Sequence, residues 1–139
     1  MLLLFAGYET TASSLSCLFR ALLIQPEVME WLLPELMESP WPATSIPQSA
    51  RLDATVLEVM RQTPPVGGVW RRSLRKIELA DVEVPENSVI QVALSPSGQM
   101  DSSDLSHFRP QRHLDGSFDQ TLLPFGGGER VCLGKSLAE

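Results

Sequence analysis

Apolar residues at Leu15, Leu18, Phe19, Leu22 and Leu23 recur three and four positions apart, the spacing that stacks side chains along one side of a helix, and predict a helix over residues 2–24. Gln25-Pro26-Glu27 ends it, because proline disfavours helical geometry at the residue before it and suits the first turn of a new helix. A second helix is predicted from there to about Glu38, with a kink or early fraying at Pro34, whose missing N–H removes one helical hydrogen bond. SPWPATSIPQSA, residues 39–50, carries three prolines among small polar residues and reads as a loop. Leu52, Val56, Leu57 and Met60 form the apolar face of a third helix within RLDATVLEVMRQT, stopped by Pro64-Pro65.

From Val69 to Leu94 the period shortens to two. RKIELADVEVPENSVIQVAL alternates apolar and polar positions, with Pro85-Glu86-Asn87-Ser88 as the turn, and predicts a small antiparallel β hairpin. Residues 95–130 are rich in Ser, Gly, Pro and Asp and read mostly as loop, and an irregular stretch of that length usually serves function. The fold class is therefore mainly α with a small antiparallel hairpin, in one domain or part of one. No internal repeat or low-complexity tract interrupts it.

Composition narrows the possible partners. The 139 residues carry 11 Lys+Arg against 17 Asp+Glu, a formal charge of −6, and no stretch gathers basic residues with interleaved aromatics, so a nucleic-acid partner is not expected. The opening MLLLFAG is apolar but short, lacks a basic start and runs into the polar YETTASS, so it reads as neither a membrane span nor a signal peptide. With only Cys17 and Cys132, free thiols or ligands in a reducing, cytoplasmic compartment are expected rather than a disulfide.

Four patches carry chemistry. In FGGGERVCLG, Gly126, Gly127 and Gly128 permit a tight turn and close approach to a flat ligand. Cys132 precedes the helix start KSLAE, where helix dipole and free N–H groups favour a thiolate, and Arg130 offers a planar cation to a carboxylate. In AGYETT, Ala6, Gly7 and Thr10 share one helical face beside Glu9; an acid and an alcohol there suit a proton relay, although helical Thr residues are commonly satisfied by their own backbone. Glu58 and Arg61 form an i, i+3 pair that is most often surface decoration. FRPQRH, residues 108–113, taken alone is a loop with Arg109 and Arg112 in solvent.

In this order and spacing the four patches resemble the cytochrome P-450 family of haem-thiolate monooxygenases. Ala6, Gly7, Glu9, Thr10 and Thr11 match its oxygen-binding helix, and Glu58 with Arg61 match its Glu-x-x-Arg motif. Phe108, Pro110 and Arg112 match its later Phe-x-Pro-x-Arg segment, and Phe125, Gly128, Arg130, Cys132 and Gly134 match its haem-ligand loop. The PPVGG and FGGG strings look most like the branch with the retinoid hydroxylases and their cyanobacterial relatives.

The resemblance implies haem as cofactor, with Cys132 as the axial thiolate pushing electron density into the iron centre, Phe125 beside the sulfur, and Arg130 and Arg71 at the propionates. It implies that Glu9 and Thr10 deliver protons on the opposite face, and that Glu58, Arg61 and Arg112 form a buried ion-pair triad. It further implies a lipophilic organic substrate, O2, and a redox protein as electron donor. Two positions depart from the family pattern: Gln111 stands where Glu is frequent and His113 where an aromatic is frequent, so the outer hydrogen bonding of Arg112 is open. Complete members of the family are much longer, so residues 1–139 are expected to be the carboxy-terminal portion of one domain, incomplete at both ends. The faces of the first and third helices should then lie open, which favours aggregation or a molten state. A truncated, non-catalytic remnant or haem-binding fragment of the family is the alternative to a partial monooxygenase. A peroxide-using enzyme is the alternative within catalysis, and the Glu9-Thr10 pair speaks against it.

Overall fold

The computed structural model describes residues 2–38, 49–94, 103–118 and 122–138. Helices α1 (Leu2–Ile24), α2 (Pro26–Glu38) and α3 (Ala50–Gln62) pack on one another. The break between the first two is a single residue, Gln25, whose N–H still donates to the Ala21 carbonyl at 3.1 Å while its own carbonyl accepts from Val28 at 3.0 Å. The fraying expected at Pro34 does not occur, since α2 continues to Glu38. Pro34 and Glu30 both face solvent, where water can serve the carbonyl that proline leaves without a donor.

The apolar stripe predicted for α1 exists but is not the packed side. Ala21 is buried, and Ser14, Cys17, Leu18 and Leu22 are half-buried, whereas Leu15, Phe19 and Leu23 face outward. Farther up the helix Leu4, Phe5 and Tyr8 are each 79% exposed, which matches the expectation of an open first helix. The buried apolar core is correspondingly small: Ala21, Val28 and Leu32 from the first two helices, Ala54 and Val59 from α3, and Leu94.

Helix α3 begins at Ser49, whose hydroxyl accepts from the Leu52 N–H at 3.1 Å and satisfies one of the donors a helix start leaves bare. Arg51 ties it to α2: its guanidinium bonds the Trp31 carbonyl, lies 5.3 Å from the centroid of the Trp31 ring and pairs with Glu35 at 3.3 Å. The predicted face of α3 is displaced around the helix. Leu52, Val56 and Met60 are only half-buried and Leu57 is exposed, while Ala54, Thr55, Glu58, Val59 and Arg61 are buried. The third helix is thus more covered than expected, and its covered side is charged.

The single predicted hairpin is two separate two-stranded sheets. Strands β2 (Ile77–Leu79) and β3 (Val82–Val84) pair antiparallel across Ala80-Asp81, with Ala80 at φ 51°. Strands β1 (Gly68–Arg72) and β4 (Val89–Ala93) pair antiparallel, from Gly68 opposite Ala93 to Arg72 opposite Val89. Pro85–Ser88 does turn the chain, with Asn87 at φ 63°, but it leads from β3 into β4, which pairs with β1, instead of closing a hairpin. Alanine is an unusual tight-turn residue, so Ala80-Asp81 gave little signal. Buried Ser73 holds the junction: its hydroxyl donates to the Pro85 carbonyl at 2.7 Å and accepts from the Ser88 N–H at 2.9 Å.

Short pieces interrupt the irregular carboxy-terminal stretch: α4 (Ser103–Ser106), 3-10 turns at Pro110–His113 and Gly128–Arg130, and α5 (Lys135–Ala138). The first of these turns packs against α3. The predicted 39–50 loop lies, except for its last two residues, outside the described residues. No helix among the described residues is long and apolar enough to cross a membrane.

Candidate active site

Two of the four sequence patches meet in space. Glu58 is fully buried on α3, and both its oxygens are occupied. Oε1 accepts from Arg61 Nη2 at 2.9 Å, from Arg112 Nε at 3.0 Å and from the Arg109 backbone N–H at 2.9 Å. Oε2 accepts from Arg61 Nε at 2.8 Å and lies 2.8 Å from His113 Nε2. The guanidinium of Arg112, 1% exposed, also reaches the Asp104 carboxylate at 2.9 Å and the carbonyls of Asp104 and His107. Arg61 donates to the Leu105 carbonyl at 2.9 Å. The Glu58–Arg61 pair is therefore buried, not decorative, and Arg112 is not solvated.

Burial by itself would raise the Glu58 carboxyl. Hydrogen bonds from His113, Arg61 and the Arg109 N–H, with the Arg61 charge, overcome it and hold the group at about 2. Two buried cations on one buried anion balance only with this full set of donors, and removing the anion would strand both guanidiniums. The outer bonding of Arg112, left open by the sequence, is supplied by Asp104, which no motif flagged, and His113 serves Glu58 instead.

Residues 122–134 form the other chemical centre. Gly126 at φ 72° and Gly128 at φ 66° occupy backbone that side chains disfavour, which explains two of the three glycines. The turn closes where the Cys132 N–H donates to the Phe125 carbonyl at 2.9 Å, bringing the cysteine back beside the phenylalanine. Phe125 is half-buried under Lys135, whose ammonium lies 6.0 Å from the ring centroid. Cys132 is an exposed free thiol, and Arg130 is exposed two residues earlier. Cys17 is likewise a free cysteine, half-buried on α1.

Among the described residues no group of three or more His, Cys, Asp and Glu is arranged to hold a metal. Cys132 is thus a single donor, suited to a metal that would arrive with its other ligands already attached. An iron porphyrin fits that requirement, with the sulfur exposed and an exposed guanidinium two residues earlier for a carboxylate.

The remaining predicted residues lie on β1 and α1. Arg71 on β1 is exposed, and its guanidinium donates to the Trp70 carbonyl at 2.9 Å. Thr10 on α1 donates to the Ala6 carbonyl at 2.8 Å, the local satisfaction common for helical threonines, and Glu9 is exposed.

Comparison with known proteins agrees with this arrangement. The cytochrome P450 family profile matches residues 1–139, and the chain belongs to that family, whose members are haem-thiolate monooxygenases. Among curated relatives, zebrafish (Danio rerio) cytochrome P450 26B1 is 32% identical over 98% of this chain, and dog (Canis lupus familiaris) cytochrome P450 3A12 is 31% identical over 99%. The chain spans 30% of the length of each. A retinoic-acid-bound cyanobacterial CYP120A1 superposes with a TM-score of 0.88 at 32% identity, covering 99% of this chain and 34% of that one. A zebrafish cytochrome P450 solved with progesterone gives a TM-score of 0.77 at 31% identity, covering 98% of this chain and 33% of that one.

Proposed function

We propose that this chain forms the haem-ligand and ion-network portion of a haem-thiolate monooxygenase, in which Cys132 would supply the thiolate ligand to iron. The observation that carries this reading is the exposed, unpaired Cys132 thiol on a turn closed by its own N–H to the Phe125 carbonyl and opened by two left-handed glycines. Haem, when bound, supplies the activation of O2 needed to insert one oxygen atom into an organic substrate, with electrons from a redox protein. With haem bound, Cys132 would hold the iron, Phe125 would pack beside the sulfur, and Arg130 with Arg71 would neutralise the propionates. Gly134 keeps the backbone after the cysteine free of a side chain: a Cβ there would lie 3.9 Å from the Cys132 sulfur. Glu9 and Thr10 carry protons toward the oxygen side. Thr10 uses its hydroxyl hydrogen on Ala6 and keeps its lone pairs available to accept. Retinoic acid and progesterone, bound in two similar structures, favour a lipophilic substrate.

The exposed apolar side of α1 argues that residues 1–139 do not by themselves retain ligated haem. The test is therefore a chimera in which this chain replaces the matching third of the cyanobacterial relative. Reduced and exposed to carbon monoxide, it should show the red-shifted thiolate band, and Cys132→Ser should abolish it. An unchanged spectrum in the serine variant would remove Cys132 from the iron. In the same chimera Thr10→Ala should raise peroxide release per electron consumed, and unaltered coupling would take Thr10 out of proton delivery.

A further inference from the structure

The buried network has a member that neither the Glu-x-x-Arg motif nor the Phe-x-Pro-x-Arg segment contains. We propose that His113 is a positioning residue for Glu58, fixed as the tautomer that carries its proton on Nε2 and donating that proton to Oε2. This rests on the network's geometry and is independent of the haem reading. Glu58 lies between two guanidiniums with no solvent access, and an ionised carboxylate only accepts hydrogen bonds. A ring nitrogen 2.8 Å from such an oxygen must bring the hydrogen itself.

The two oxygens are otherwise served unequally. Oε1 has three donors, from Arg61, Arg112 and the Arg109 backbone, whereas Oε2 without His113 would have only Arg61 Nε. The imidazole is also held in place from its other side. Its side chain is 6% exposed, and its ring meets Phe118 edge-on, with centroids 5.3 Å apart and planes at 65°. An aromatic at this position could keep the contact with Phe118 but would leave Oε2 short of a donor. The charged groups around the pair are Arg61 and Arg112 on Glu58, Asp104 on the far side of Arg112, and Arg109 paired with Asp115. His113 thus couples the 3-10 turn to α3 by a contact additional to those of Arg112.

The experiment uses the 139-residue chain labelled with 15N histidine, with the His113 signals assigned by their loss in His113→Gln. The expected result is a protonated Nε2, with Nδ1 either bare or protonated as well. A proton on Nδ1 alone, or shifts averaged between tautomers, overturns the proposal. Hydrogen exchange at the Arg112 and Leu114 amides provides the second readout. His113→Gln, whose side-chain amide reaches about as far as Nε2, should leave the local opening constant within about threefold, while His113→Phe should raise it about tenfold or more. Equal effects of the two substitutions, or none from phenylalanine, would show that the ring only packs.

Discussion

Glu58 and Cys132 carry the two most chemically loaded positions of this chain, and they are treated in opposite ways. The carboxylate has no solvent exposure and is bonded by Arg61, Arg112, His113 and a backbone N–H, all supplied within residues 58–113. The thiol is exposed, on a turn shaped by backbone hydrogen bonds such as that from the Cys132 N–H to the Phe125 carbonyl. The difference separates two kinds of functional residue. One is completed by the chain that carries it, because a buried charge without partners would unfold its surroundings. The other is left unfinished so that something from outside can complete it. Helix α1 sides with the thiol: most of its large apolar residues face outward, and its inner side carries Ala21 with half-buried Ser14, Cys17, Leu18 and Leu22.

The comparison breaks most visibly at Glu58. Glu58→Ala should cost α3 and the 3-10 turn about 3–5 kcal/mol of local stability, read from hydrogen exchange at the Val59 to Gln62 amides. Cys132→Ser should change the same amides by no more than about 0.5 kcal/mol, since the thiol is exposed and unbonded. Comparable losses from the two variants would erase the distinction.

Acid should weaken the network and spare the cysteine turn. The folded Glu58 carboxyl lies near 2, below its ordinary value of 4.5, so its contribution is fully present above 4.5 and is lost as pH falls toward 2. The loss amounts to about 3 kcal/mol of protection in α3, with the Cys132 turn unaffected. Protection in α3 that is flat between pH 5 and pH 2 would contradict the assignment of Glu58 as its anchor. Smaller effects follow from backbone features. Gly126→Ala, at φ 72°, should destabilise the cysteine turn by about 1–2 kcal/mol and leave α3 intact. Ser49→Ala removes the acceptor for the Leu52 N–H and should fray the first turn of α3 by about 1 kcal/mol, seen in the exchange of the Leu52 amide.

Helix positions were legible from periodicity because all three long helices carry apolar residues at helical spacing. Which side packs was not. Leu15, Phe19 and Leu23 are apolar and exposed, while Thr55, Glu58 and Arg61 are polar and buried, because what decides burial on α3 is a charge partner 54 residues away in sequence. Periodicity records hydrophobicity and is blind to ion pairs. The strands were legible for the same reason as the helices, but the pairing was not. Pro85-Glu86-Asn87-Ser88 is a stronger turn signal than Ala80-Asp81, yet the hairpin closes at the latter. At the site, the motif residues Glu58, Arg61 and Arg112 come together in one buried network. Asp104 and the role of His113 were not readable, since neither belongs to a motif and both act through contacts that exist only once the turn docks on α3.

The claim at the centre of this account is that local order in the chain is anchored on the buried charge of Glu58 and not on the apolar face of α1. Amide hydrogen exchange of residues 1–139, resolved by peptide, measures this directly. The account predicts the slowest exchange in residues 54–62 and 110–114, and fast exchange in residues 4–16 and 122–134. Equal or greater protection in α1 would contradict it.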